Sequence, residues 1–207
     1  MNKIIKYVRK RGDGYLNKHD LRILKTKHNV HLVLTNLLKK KPLAQIKVTE
    51  LCREANINRG TFYFHYREIG DVFKELFEEV MFDLRESYHE PYRHTEFLEV
   101  EKLDPKTVRI FHHIKKYEDF YRIIFSKEVS TAYYYMFFDE IRAICIEDRN
   151  VVYFGEPSDY LYSFSANAII GLVIEWYRRD FQETADEMNI HLVNILKIYG
   201  NRRNEKE

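Results

Sequence analysis

The chain reads as an all-α protein of about nine helices, an N-terminal three-helix domain with a helix-turn-helix joined to a larger helical domain. Three observations predict this. Glycine (7) and proline (4) are scarce in 207 residues, which argues for long helices over a turn-rich β fold. Apolar residues recur at helical spacing, as at Val48, Leu51, Cys52 and Ala55. The stretch from Val48 to Tyr66, VTELCREANINRGTFYFHY, reads as two short helices about a tight turn.

Residues 1–18 carry Lys3, Lys6, Arg9, Lys10, Arg11 and Lys18 against one acid, Asp13, and are broken by Gly12 and Gly14. They suit a solvated tail. They equally suit a basic arm lying on phosphates or in a minor groove. A helix over about 19–40 follows, with Val30, Val33, Leu34, Leu37 and Leu38 as its apolar stripe. Lys39, Lys40 and Lys41 favour its C-terminus and Pro42 stops it. His28 and His31 stand at i, i+3 without a neighbouring carboxylate or cysteine, so no metal site is expected.

In the helix pair, Asn56, Ile57 and Asn58 form the turn, and Asn58 is a good N-cap for a helix over 59–65. Phe62 and Tyr66 belong to the core. The second helix exposes Arg59, Gly60, Thr61, Tyr63, Phe64 and His65, with no acid among them. Such a surface suits a DNA major groove, where arginine bonds guanine bidentately and the threonine methyl touches thymine. Arg59 and Thr61 are the candidate base readers; Tyr63 and His65 suit phosphates. The same spacing also fits an ordinary helical hairpin with an aromatic core.

These residues resemble the helix-turn-helix of TetR-family transcriptional regulators. The resemblance rests on Ala55, Ile57, Arg59, Gly60, Thr61, Phe62, Tyr63, His65 and Tyr66, and it spans about residues 20–80. A weaker echo, GLVIEWYRRDFQETADEM, lies at Gly171 to Met188. The resemblance implies that Lys47 and Thr49 touch phosphate or a base edge. It also implies a DNA-binding domain over 19–67 and a regulatory and dimerisation domain over 68–200. In the family a lysine just inside the fourth helix contacts a phosphate; here that position is Ile69, and Arg67 is the candidate replacement.

A helix over about 68–88 buries Val72, Phe73, Leu76, Phe77, Val80 and Leu84, and Pro91 ends it. Two or three helices are expected between 105 and 149, with Pro105 in a first turn. The block Tyr133 to Phe138 is densely aromatic, which suits packed core or a pocket for an apolar, planar ligand. Phe111, Tyr134, Phe137, Phe138 and Trp176 are the candidate pocket residues. Ser158 opens a helix to about Arg178 that is apolar almost all round, so it should be buried on more than one side. Gly171 inside it hints at close helix approach. Thr184 to Glu187 is a capping box for a last helix. By resemblance these two helices pair with their copies in a homodimer, through Phe164, Ala168, Gly171, Leu172, Met188, Leu192, Ile195 and Leu196.

Charge is unevenly spread. Residues 1–67 hold 16 Lys/Arg against 4 Asp/Glu, net +12; residues 68–207 hold 18 against 28, net −10; together these make the formal +2. One end suits a polyanion and the other avoids it. Cys52 and Cys145 read as reduced thiols of a cytoplasmic protein, and no apolar run suits a bilayer. There is no Walker loop, GxSxG or HExxH, so neither an enzyme nor a cofactor is expected. The leading reading is a TetR-like repressor that binds a palindromic operator as a homodimer and is released by a small apolar effector. The alternative is a helical DNA-binding or protein-interaction factor with no such effector.

Overall fold

A computed structural model describes residues 18–89, 103–126, 130–147 and 158–204. Among these residues there are nine α-helices and no strand. They are α1 (Lys18–Leu38), α2 (Val48–Glu54), α3 (Arg59–His65), α4 (Ile69–His89), α5 (Ile110–Lys116), α6 (Glu118–Ile124), α7 (Thr131–Glu147), α8 (Asp159–Arg178) and α9 (Ala185–Asn204). Short 3-10 turns occupy Leu43–Gln45 and Pro105–Thr107. Residues 1–17 of the basic arm and Pro91 lie outside the described residues, as does the loop before Ser158, while Lys18 begins α1.

The described residues fall into two compact units. One runs to Asp83 and takes in Ser126; the other covers Leu84–Phe125 and everything from Ser130 onward. In the first unit, Val30, Leu34 and Leu37 of α1 bury one stripe, with Leu51, Cys52, Phe62, Val72, Phe73, Phe77 and Val80 from α2, α3 and α4. The Asn29 amide donates to the Ala55 carbonyl at 2.7 Å and pins α1 to the end of α2.

In the second unit α7 lies along α8, and α9 packs on α5 and the Pro105–Thr107 turn. Pro105 does not begin an α-helix as the sequence suggested. Asp104 caps the 3-10 turn by accepting from the Lys106 N–H at 2.9 Å. Val108 then takes an extended backbone, which ends the turn before α5 can start. The core is a chain of rings. Phe111 meets Trp176 at 5.8 Å, Trp176 meets Phe181 at 5.0 Å, and Phe181 meets Tyr177 at 6.0 Å. Tyr177 continues to Phe125 and Phe125 to Phe137. Edge-to-face contacts of this kind add to the apolar area they bury.

The α8–α9 corner is closed by local bonds. Asp180 and Phe181 both adopt left-handed φ, 60° and 52°. The Phe181 N–H donates to the Trp176 carbonyl and the Asp180 N–H to the Tyr177 carbonyl, a Schellman closure without glycine. The Trp176 indole N–H donates to the Glu183 carbonyl at 3.1 Å. Thr184 N–H donates to Glu187 Oε2 at 2.7 Å and Glu187 N–H to Thr184 Oγ1 at 3.2 Å, so the capping box is formed. Both cysteines are buried and neither forms a disulfide, and no helix among the described residues is long and apolar enough to cross a membrane.

Candidate nucleic-acid interface

The candidate interface is built on the turn between α2 and α3. Asn56 takes a left-handed φ of 52° just past the end of α2. Its N–H donates to the Arg53 carbonyl at 3.2 Å, and the Ile57 N–H reaches back to the Cys52 carbonyl at 3.0 Å. Asparagine tolerates this conformation because its short polar side chain bonds locally. Asn58 then opens α3 from an extended backbone, its Oδ1 accepting from the Thr61 N–H at 2.6 Å. A Cβ at Gly60 would stand 3.3 Å from that same oxygen, so the glycine leaves room for the cap.

Phe62 and Tyr66 point inward, with ring centroids 5.6 Å apart, and Leu51, Cys52 and Ala55 complete the buried side. Turning those residues in turns the others out. Arg59 and Gly60 are exposed, as are Tyr63 (51%) and Phe64 (76%); Thr61 and His65 are half-buried. The Arg59 guanidinium lies 5.9 Å from the Tyr63 ring centroid one turn on, which orders the long side chain. Lys47 and Thr49 are exposed at the start of α2, and Arg67 is exposed after α3. Asn58 differs from the rest, because its Oδ1 is committed to the cap. Burial, together with nearby Lys27, holds the His65 imidazole below its ordinary value.

After α3, Asp71 accepts from the Arg67 N–H at 2.7 Å and from the Glu68 N–H at 3.1 Å. These bonds satisfy donors ahead of α4. Ile69 is buried at the first turn of α4. It is a core residue, and the cation nearest to it in sequence is Arg67.

The second unit sorts its candidates differently. Phe111, Phe137 and Trp176 are wholly buried and lie in the ring chain, while Phe138 is half-buried. Tyr134 bonds Asn167 at 3.3 Å. On α8 the residues Ala166, Ile170, Val173 and Trp176 form one buried stripe. The opposite face stays open in the single chain, contrary to burial on several sides: Tyr160 (89%), Phe164 (69%), Ala168 and Gly171 are exposed, and Leu172 is half-buried. A Cβ at Gly171 would meet nothing within 4 Å, so the glycine makes no close helix approach within the chain. Met188 requires correction. It is buried inside the chain, because Ala185, Met188, Asn189 and Val193 form the inward stripe of α9. Ile190 and Ile198, not singled out from the sequence, are exposed on α9 with Ile195, while Leu192 and Leu196 are half-buried. Among the described residues no group of three or more His, Cys, Asp or Glu is suited to hold a metal ion.

Residues 101–198 match the family model TetR_C_8, the C-terminal region of transcriptional regulators. This C-terminal region is therefore similar to that of TetR-family transcriptional regulators. The helix-turn-helix precedes the matched region as expected. A comparison with curated proteins finds no match. Among solved structures, the chain resembles a TetR transcriptional regulator from Streptococcus agalactiae, with a TM-score of 0.59, 19% identity and coverage of 86% of this chain and 97% of that one. It also resembles the fatty acid degradation regulator of Bacillus halodurans (0.62, 15%, 82% and 93%). A third likeness is to NalD of Pseudomonas aeruginosa, the secondary repressor of the MexAB-OprM multidrug efflux pump (0.54, 20%, 84% and 95%). At such identities the likenesses show the fold.

The N-cap can be tested directly. Asn58→Ala should destabilise the protein by about 1 kcal/mol, the usual cost of losing a capping side chain. Denaturant unfolding followed by circular dichroism checks it. An unchanged midpoint would mean that Asn58 does not cap α3 in solution.

Proposed function

We propose that this chain is a TetR-family repressor that binds a palindromic operator as a homodimer. The observation that carries the reading is the acid-free outer surface of α3, held out by the Asn56 and Asn58 turn and by the buried Phe62 and Tyr66. Arg59 and Thr61 read bases; Lys47, Thr49, Gly60, Tyr63, Phe64, His65 and Arg67 fit the helix to backbone and groove. Asn58 acts through the cap. The excess of Lys and Arg over residues 1–67 supplies sequence-independent attraction to the duplex.

The exposed apolar face of α8, and separately Ile190, Ile195 and Ile198 exposed on α9, support dimerisation through the second unit. Exposed apolar patches commonly mark such contacts. A two-fold pair presents two recognition helices to half-sites about 34–36 Å apart or a multiple of this.

An apolar effector acting on the second unit is the finer part of the proposal. Its support is the aromatic density around Phe111, Tyr134, Phe137, Phe138 and Trp176, and the kinship in fold to regulators named for fatty acid degradation and drug efflux. The alternative, a factor with no small-molecule input, is favoured by one observation: Phe111, Phe137 and Trp176 are already packed ring on ring.

Three measurements separate these claims. Arg59→Ala should weaken specific DNA binding by about 1–3 kcal/mol and leave non-specific binding nearly unchanged; an equal loss of both would make Arg59 a phosphate contact. Gly171→Leu adds a side chain that the single chain has room for, so the fold should hold while light scattering reports a loss of dimer and operator affinity drops. An intact dimer with that variant removes Gly171 from the interface, and a wild-type monomer that binds a palindrome tightly removes the dimer. Finally, an apolar effector should raise the melting temperature, because it stabilises only the native state. It should also alter the emission of Trp176, the sole tryptophan, and release DNA. A broad screen of lipophilic compounds that moves neither signal favours the effector-free reading.

A further inference from the structure

A second cluster lies behind the recognition helix, on its buried side. Lys27 and His31 stand one turn apart on α1, and Glu75 and Glu79 stand one turn apart on α4. His31 Nδ1 is 3.0 Å from Glu79 Oε2, and His31 Nε2 is 3.3 Å from Glu75 Oε2. The same Glu75 oxygen accepts from the Tyr66 hydroxyl at 2.5 Å, and its other oxygen accepts from Lys27 at 2.6 Å. Tyr66 is the residue that caps the C-terminal end of α3, its N–H donating to the Phe62 carbonyl at 2.9 Å. The Lys27 ammonium also sits 5.5 Å from the Tyr66 ring centroid. Three helices therefore meet at one half-buried carboxylate.

The geometry specifies a charge state. Each ring nitrogen of His31 faces a carboxylate oxygen, and ionised carboxylates only accept. A neutral imidazole carries one N–H, so one of its lone pairs would confront an oxygen. An imidazolium bonds Glu79 from Nδ1 and sets its second N–H against Glu75 in an ion pair, short of a well-aligned hydrogen bond. Two cations, Lys27 and His31, then balance Glu75 and Glu79. Burial alone would lower the His31 pKa, but its contacts with Glu75 and Glu79 outweigh burial and hold it above its ordinary value of 6.5. Burial likewise opposes ionisation of Glu75, yet His31, Lys27 and Tyr66 draw its carboxyl down to about 2.

We propose that His31 is a positioning residue for DNA recognition: as an imidazolium between Glu75 and Glu79 it holds Glu75 on the Tyr66 hydroxyl and so fixes the end of the recognition helix. This rests on the reading of α3 as the DNA-contacting helix. Losing the proton leaves the cluster with a net negative charge, sets the two carboxylates against each other and frees Glu75 from its place beneath Tyr66. The His31 contribution is fully present below the ordinary imidazole value and is lost as pH rises through the higher native value. The Glu75 contribution is present above the ordinary carboxyl value of 4.5 and is lost as pH falls toward about 2. The neighbouring groups are separable from His31. His65 is held low by burial and Lys27 and titrates on the acid side. From α2 the buried titratable group is Cys52, whose thiol burial pushes up, while Glu50 is taken by Lys41. On α4 the spacing of Glu75 and Glu79 continues to the buried Asp83.

The test uses the full chain and a duplex recovered with it from a random-sequence pool. Carbon-13 and nitrogen-15 histidine spectra, assigned by His31→Gln, read the protonation of His31; fluorescence anisotropy reads affinity across the pH range where imidazoles titrate. The expected results are a doubly protonated His31 at neutral pH and an affinity that falls on the alkaline side at the pH where His31 titrates. His31→Gln should bind about tenfold more weakly at the lower end, equivalent to about 1.4 kcal/mol, and lose that pH dependence. Glu79→Gln keeps an acceptor but removes a charge, so it should move the His31 titration and the affinity break to lower pH together; it also serves if His31→Gln fails to fold. A singly protonated His31 at neutral pH overturns the proposal. So does an affinity break that persists in His31→Gln, or one that stays put when Glu79→Gln moves the titration. A pool that yields no binder overturns the DNA reading and the positioning role with it, whatever the histidine spectra show.

Discussion

The first unit depends on how the chain leaves α2. Two asparagines two residues apart do opposite jobs. Asn56 accepts a left-handed backbone so that the orphan carbonyls of α2 are met, and Asn58 returns to an extended backbone so that its side chain can meet an orphan N–H of α3. The direction of α3 follows from those few torsions. Given that direction, Phe62 and Tyr66 fall on the core side, and Arg59, Tyr63 and Phe64 fall on the water side. An exposed phenylalanine and tyrosine on a helix of seven residues would be a poor choice for stability alone. In the proposed function their exposure is contact surface, on a helix whose other side is already spent on packing.

The inner side of α3 is held by charge as well as by apolar burial. Buried ionic groups cost desolvation, and that cost is recovered only when each group is bonded to partners with good geometry. In the cluster Lys27 and Tyr66 bond Glu75 and His31 Nδ1 bonds Glu79, because both helices present their partners one turn apart, while His31 Nε2 meets Glu75 as an ion pair alone. Such a network adds little net stability over an apolar core of the same shape, but it ties α1, α3 and α4 in one register.

The second unit follows a different logic. Its rings run from α5 through α8 to α6 and α7, and the α8–α9 corner is locked by the Asp180–Phe181 closure and the Thr184–Glu187 box. Arg122 reaches from α6 to Asp180 at 2.6 Å, and Lys115 of α5 donates to the Phe181 carbonyl at 3.1 Å, so the corner is bonded from two helices. What this packing leaves over is one apolar face of α8 and a run of isoleucines on α9.

The sequence by itself determined the helical class, the helix-turn-helix, the Asn58 cap and the capping box at Thr184, because each depends on residues within a turn or two of one another. It also placed Arg59, Gly60, Tyr63 and Phe64 outward, since Phe62 in α3 and Tyr66 just after it mark the buried side, whereas Thr61 and His65 are half-buried. It did not determine the pairing of His31 with Glu75 and Glu79, which are separated by 44 and 48 residues and meet only when α1 lies on α4. His31 read alone was a poor metal ligand; its carboxylates arrive from another helix. Nor could periodicity choose between the faces of α8 and α9, because both faces are apolar. Met188 went inward and Ile190 and Ile198 outward through the seating of α9 on α5, and that seating is a property of the packed unit. Local bonding is written in neighbouring residues, whereas the choice of face on an apolar helix and the partners of a buried charge are settled by the elements that close over them.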